Sequence, residues 1–142
     1  SNLPELQTQI DVEGVSDVIS LPGFVPDPEL RQLVHRAGCV AIPSLYEPFG
    51  IVALEALAAG TPLVVARTGG LAELVVGTNA AVTFEPGNPD DLADAIEQVL
   101  TNDELATILV ANARHLVEQK YSWAAIARTT AEVYGAAHLA LR

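Results

Sequence analysis

Glu47 and Glu55 stand eight residues apart within the stretch from Ile42 to Glu73, IPSLYEPFGIVALEALAAGTPLVVARTGGLAE. Between them, Pro48-Phe49-Gly50 opens a predicted helix, with Ile51 in its first turn. This order sets one carboxylate on the loop before a helix, free backbone N–H groups at the helix start, and a second carboxylate two turns in. A helix start favours an anion such as phosphate, because its amides are unpaired and its dipole is positive there. Carboxylates accept hydrogen bonds from sugar hydroxyls. Together these features suit a nucleotide sugar.

The spacing alone carries no weight. With 11 Glu in 142 residues, on the order of one such pair arises by chance, and Glu5 and Glu13 share the spacing without a comparable context. The weight comes from the surroundings. Gly50 lets a ligand approach the backbone closely. Glu55 is the one charge in Ile51 to Ala59, IVALEALAA. A helix apolar on nearly every face is expected to be buried, and a buried carboxylate needs partners, so Glu55 is expected to be buried and functional.

Strands alternating with helices position these residues. Val18 to Leu21 reads as a short buried strand, and Asp27 with Pro28 caps a helix over Glu29 to Ala37. Cys39 to Pro43 is the next strand, apolar throughout. The helix from Phe49 to Ala59 closes at Gly60. Pro62 to Ala66 and Ala81 to Phe84 are further strands, with a short helix from Leu71 to Val75 between them. Asn88 caps a helix from Pro89 to Leu100, Asn102 or Asp103 caps one to Lys120, and Ser122 caps the last.

This rhythm predicts an α/β domain over residues 1–142, a Rossmann-like parallel sheet with helices on both faces. Ligands bind such sheets at the carboxyl ends of the strands. The loops expected there are Phe24 to Pro26, Ser44 to Pro48 and Arg67 to Gly70. Gly69-Gly70 reads either as an ordinary turn or as a donor of N–H groups to sugar or phosphate. Arg67 reads as a surface residue or as one facing the same cleft. His35, His115 and His138 lie in predicted helices without a partner at metal-ligand spacing and read as surface or packing residues.

Composition narrows the partners. The chain has 7 Lys and Arg against 18 Asp and Glu, a formal charge of −11. The cations do not cluster, which argues against a nucleic acid. No apolar run spans a bilayer, no signal peptide is evident, and the single Cys39 in an apolar run reads as a small core residue in a reducing cytoplasm. The chain contains no methionine, and Ser1-Asn2 resembles a scar of tag cleavage. It is therefore read as an expressed fragment.

Pro43 to Ile51, PSLYEPFGI, then Glu55 to Pro62, EALAAGTP, and Thr68-Gly69-Gly70 resemble the C-terminal domain of GT-B glycosyltransferases. The match is to the large retaining, GT4-type group that includes glycogen and sucrose synthases and bacterial mannosyltransferases. Gly23-Phe24-Val25, Pro86 to Pro89 and Tyr121-Ser122-Trp123 are similar to that family as well. The resemblance implies that the chain is most of the donor-binding half of a two-domain enzyme. Glu47 would be the catalytic-site carboxylate beside the transferred sugar. Amides near Phe49, Gly50 and Ile51 would contact sugar or phosphate, Glu55 the ribose hydroxyls, and Phe24 and Val25 would lie near the base. Gly69 and Gly70 are weaker donor-site candidates. The donor is a nucleotide diphosphate sugar, and neither metal nor other cofactor is implied.

The sequence departs from a complete enzyme of that kind. The family's Arg and Lys on the diphosphate come from a segment before residue 1. The N-terminal acceptor domain, through which any peripheral membrane contact would run, is absent too. One wall of a cleft cannot orient two substrates, so the 142 residues alone are expected to have little or no transferase activity. Ala72 replaces a common Pro, and Ala81 stands where Gly is frequent. Two alternatives remain: a module that binds a nucleotide or sugar without transfer, and a GT-B-like sugar epimerase.

Overall fold

The computed structural model describes residues 3–140; Ser1 and Asn2 lie outside them, as does Arg142 among the cations. The chain divides into two compact units, residues 1–32 and 33–142. The first unit holds helix α1 (Leu3–Glu13), which sequence periodicity did not reveal, and the start of α2 (Asp27–Arg36). The amides of Glu29 and Leu30 both donate to Pro26 O, so the helix opens at Asp27 itself, and Pro26 stands where Asp27 was expected as the cap.

Val18 to Leu21 is a correction. It is not a strand. The amides of Val18 and Ile19 both donate to Val15 O in a turn, and Val18 is exposed. An apolar run becomes a strand only where a neighbour completes its ladder, and this unit holds none.

The second unit carries the sheet. β1 (Val40–Ile42), β2 (Leu63–Ala66) and β3 (Val82–Phe84) lie in the order β1-β2-β3, all parallel. Val40 pairs with Leu63, and Val64 with Val82. Between them run α3 (Ile51–Ala59) and α4 (Gly69–Val75), followed by α5 (Pro89–Thr101) and α6 (Asp103–Leu116). A five-residue π-helical turn, Val117–Tyr121, then leads to α7 (Trp123–Ala140).

β2 is apolar throughout because both of its faces are covered. Side chains alternate across a strand, so Leu63 and Val65 join a core with Leu57 of α3 and Leu71 of α4. Val64 and Ala66 join a second core with Phe84, Ala95 and Val99. Helix α6 serves both, through Leu109 on one side and Ala113 and Leu116 on the other. The outer edge of β1 has no strand beside it among the described residues.

The starts of α5, α6 and α7 follow the predicted caps. Asn88 accepts from Asp91 N at 3.2 Å and Asn102 from Leu105 N at 2.9 Å. Ser122 accepts from Ala125 N at 3.2 Å. Gly60 closes α3 with φ +74°, in the left-handed region. Burial pushes the Cys39 thiol above its ordinary range, which suits a packing role over a nucleophilic one. Among the described residues no helix is long and apolar enough to cross a membrane.

Thr61 is the one buried polar residue among the described residues, 2% exposed, and its hydroxyl donates to Val34 O at 2.8 Å. Thr61→Val keeps the shape and leaves that carbonyl without its donor. We expect a loss of about 1–3 kcal/mol, read as a lower urea midpoint at unchanged slope. An unchanged midpoint would show that the bond contributes nothing.

Candidate functional site

The register of the sheet, with Ile42 opposite Val65, brings the chain exits of β1 and β2 side by side. The loop after β1 carries Ser44 to Gly50, and the short turn after β2 carries Arg67 and Thr68. Two hydrogen bonds tie them together. Thr68 Oγ1 donates to Leu45 O at 3.1 Å. Gly70 N donates to Glu47 O at 2.8 Å.

Gly69 and Gly70 lie so close to this loop that neither has room for a side chain. A Cβ on Gly69 would stand 2.6 Å from Glu47 O, and one on Gly70 would stand 2.5 Å from Pro48 O and 2.7 Å from Phe49 Cα. The Gly-Gly pair is thus explained by close packing of backbone on backbone. The Gly70 amide is spent on Glu47, so it donates within the chain and not outward to a phosphate.

Glu47, half-buried, folds its side chain back over the start of α3. Its Oε1 accepts from Gly50 N at 3.0 Å and from Phe49 N at 3.4 Å. Two of the three amides expected to face a ligand, those of Phe49 and Gly50, therefore meet a carboxylate of their own chain. This is the anion that the helix start favours. Oε2 of Glu47 has no partner among the described residues. Gly50 makes the geometry possible: it is buried and takes φ +85° and ψ +40° as the N-cap of α3, and its carbonyl accepts from Leu54 N.

Glu55 is not where the sequence suggested. It is exposed, and it has no hydrogen bond or ion pair among the described residues. Helix α3 buries Ala53, Ala56 and Leu57 and packs Leu54 partly against the same core; Ile51 and Val52 stay 60% and 57% exposed. Ile51, Val52 and Glu55 share that outer face. Its apolar composition suggested burial, but no element of the described chain covers it. Glu55 is therefore not a buried carboxylate in need of partners. Its position one helical turn beyond the exposed Ile51 still leaves the carboxylate free to accept from a ligand.

Phe24 and Val25 belong to the N-terminal unit, where Phe24 is 91% exposed. Arg67 pairs with Glu85, beyond the end of β3, at 3.2 Å. Its guanidinium is thereby held toward β3. His35 Nδ1 lies 3.1 Å from Ala59 O, a packing contact. Among the described residues no cluster of His, Cys, Asp or Glu could hold a metal ion.

A pocket of about 180 Å³ opens beside the site, lined by Pro48, Phe49, Gly70, Glu73, Leu74 and Tyr121. Sequence reasoning assigned no role to Glu73, Tyr121 or Thr68. Thr68 was legible in part: a hydroxyl next to Gly-Gly, one residue past a buried strand, sits where it reaches the adjacent strand exit.

Comparison with known proteins gives these features a context. Residues 1–116 match the family model for glycosyl transferases, group 1. The chain is 45% identical over 121 residues to an uncharacterised glycosyltransferase of Methanocaldococcus jannaschii, covering 85% of this chain and 31% of that protein. It is 43% identical over 115 residues to glycogen synthase of Mycobacterium tuberculosis, covering 81% and 28%. Its fold is similar to sucrose-phosphate synthase of Thermosynechococcus elongatus, with TM-score 0.83, 29% identity and coverage of 96% and 34%. It is also similar to the Anabaena protein HepE, solved with UDP, with TM-score 0.84, 30% identity and coverage of 94% and 36%. These structural neighbours have the GT-B fold. The chain spans about a third of the length of the proteins it matches.

Gly50→Ala tests the helix start. A residue with a Cβ loses about 1–2 kcal/mol at a left-handed φ, and here the Cβ would also stand 3.1 Å from Leu71 Cδ2. We expect a drop of about that size in denaturant unfolding, and a smaller one for Gly50→Asn, since Asn tolerates this region. Equal stability of all three proteins would contradict the geometry described.

Proposed function

The chain belongs to the group 1 glycosyl transferases, and from that premise we propose that it is the donor-binding part of a retaining enzyme. That enzyme moves a sugar from a nucleotide diphosphate sugar to an acceptor. The observation that carries this reading is the Glu47 carboxylate, fixed through Oε1 on the amides of Phe49 and Gly50 while Oε2 has no partner. A carboxylate held in this way can accept from a sugar hydroxyl without further ordering. The HepE structures with UDP and with UDP-glucose support a nucleotide sugar as the ligand.

On this reading Glu47 meets the transferred sugar, and Glu55 meets the ribose hydroxyls from the outer face of α3. Phe49, Gly50 and Ile51 line the approach, and Gly69 and Gly70 contribute by keeping the loop close. No metal or other cofactor takes part. The diphosphate charge is offset by basic side chains from outside these residues, in keeping with the third of its relatives that the chain spans. The other part of the enzyme supplies the acceptor site. The 142 residues alone bind donor but turn over none, because water is not excluded and no acceptor is oriented.

A panel of UDP, GDP and ADP, each with and without a sugar, titrated into the chain and followed by amide shifts tests the reading. We expect binding to one base, weak and near 1 mM, which corresponds to about −4 kcal/mol. Glu55→Ala is expected to weaken it about tenfold or more, the value of hydrogen bonds to a charged group. Glu47→Ala is expected to weaken the sugar-bearing form selectively. Shifts with none of the panel, or measurable release of nucleoside diphosphate by the chain alone, would contradict the proposal. In the full-length protein, loss of transfer on Glu47→Ala separates an enzyme from a module that only binds.

A further inference from the structure

The structure assigns Thr68 the part of a positioning residue, which with Gly69 and Gly70 forms a clamp that sets the Glu47 carboxylate. Three independent contacts converge on one loop. Thr68 Oγ1 holds Leu45 O, two residues before Glu47. Gly70 N holds the carbonyl of Glu47 itself. The missing side chains of Gly69 and Gly70 let the turn approach to within 2.6 Å of Glu47 O and 2.5 Å of Pro48 O, measured from where a Cβ would stand.

The consequence follows from the short reach of the Glu47 side chain. Its Oε1 lies 3.0 Å from Gly50 N, only three residues on. A hydrogen bond of this kind weakens steeply with misalignment. With the backbone fixed at Leu45 and again at Glu47, the carboxylate returns to the same amide. If the loop were free, it would move by more than the bond tolerates. The clamp draws on β2, whose four residues are fully buried, so a rigid strand sets a side chain that leaves from its neighbour. Thr68 has no need to touch a ligand in order to do this. That the carboxylate then meets a sugar rests on the function proposed above; the clamp itself does not.

Amide hydrogen exchange on the 142-residue chain tests the clamp directly. Thr68→Val removes the hydroxyl and keeps the shape. We expect exchange at Gly50 and Gly70 to quicken at least tenfold while amides in α5 stay unchanged. Thr68→Ser, which keeps the hydroxyl, is expected to restore protection. Thr68→Ala gives a second variant without the donor, should the valine disturb folding. Unchanged protection at Gly50 in variants lacking the hydroxyl would overturn the proposal, as would a loss in Thr68→Ser equal to that in Thr68→Val. The same samples separate this inference from the functional reading. If the wild-type chain binds no nucleotide yet Gly50 responds to Thr68→Val as expected, the clamp stands and the donor reading fails. If UDP-glucose binds and Thr68→Val weakens it five- to tenfold relative to UDP, both stand.

Discussion

The structure depends on one strand that has no solvent-facing side. All four residues of β2 are buried, two in each of two cores. The strand also pairs along both edges. Burying aliphatic side chains of this size contributes about 1.5–3 kcal/mol each, and any shift in register by one residue would exchange the cores. The position of β2 is therefore stiff, and it sets where its neighbours leave the sheet. That the β1 and β2 exits lie abreast is a consequence of this pairing, and so is every contact between the Glu47 loop and the turn at Thr68.

The electrostatics of the site follow from the same stiffness. A chain with a formal charge of −11 would not be expected to gather an anion at a backbone concavity unless that concavity were fixed. Here the start of α3 is fixed, and the chain supplies the anion itself through Glu47. A ligand that approaches meets a carboxylate whose one oxygen is already bonded to two amides and oriented by them. Recognition of neutral hydroxyls suits such a surface better than recognition of free phosphate, because a phosphate would have to displace Glu47 against its own charge.

Much of the fold was legible because local chemistry and tertiary packing agree. The apolar runs around Ala41 and Val64 formed strands, and Asn88, Asn102, Ser122 and Gly60 ended or opened helices where their side chains or backbone freedom required. The exceptions share one cause. Val18 to Leu21 looked like a strand and Glu55 looked buried, both because apolar composition was taken as a sign of burial, whereas burial needs a neighbour that the pattern does not contain. The site divides in the same way. Glu47 and the glycines were visible from type and order. The partner of Thr68 was not, since its hydrogen bond to Leu45 spans 23 residues and has no periodic signature. The π-helical turn at Val117–Tyr121 also escaped, because its residues read as ordinary helix.

Among the described residues the outer side of β1 is unpaired, and this bears on how copies of the chain meet. Val40–Ile42 offers a row of backbone donors and acceptors with no charge and no proline to deter another strand, the kind of edge on which copies associate. What opposes this is repulsion between copies that each carry a formal charge of −11. That repulsion reaches about 8 Å at physiological ionic strength and shortens as salt is added. The barrier to association therefore depends on the ionic medium. It is least where salt is high or where the pH approaches the isoelectric point of about 4.4.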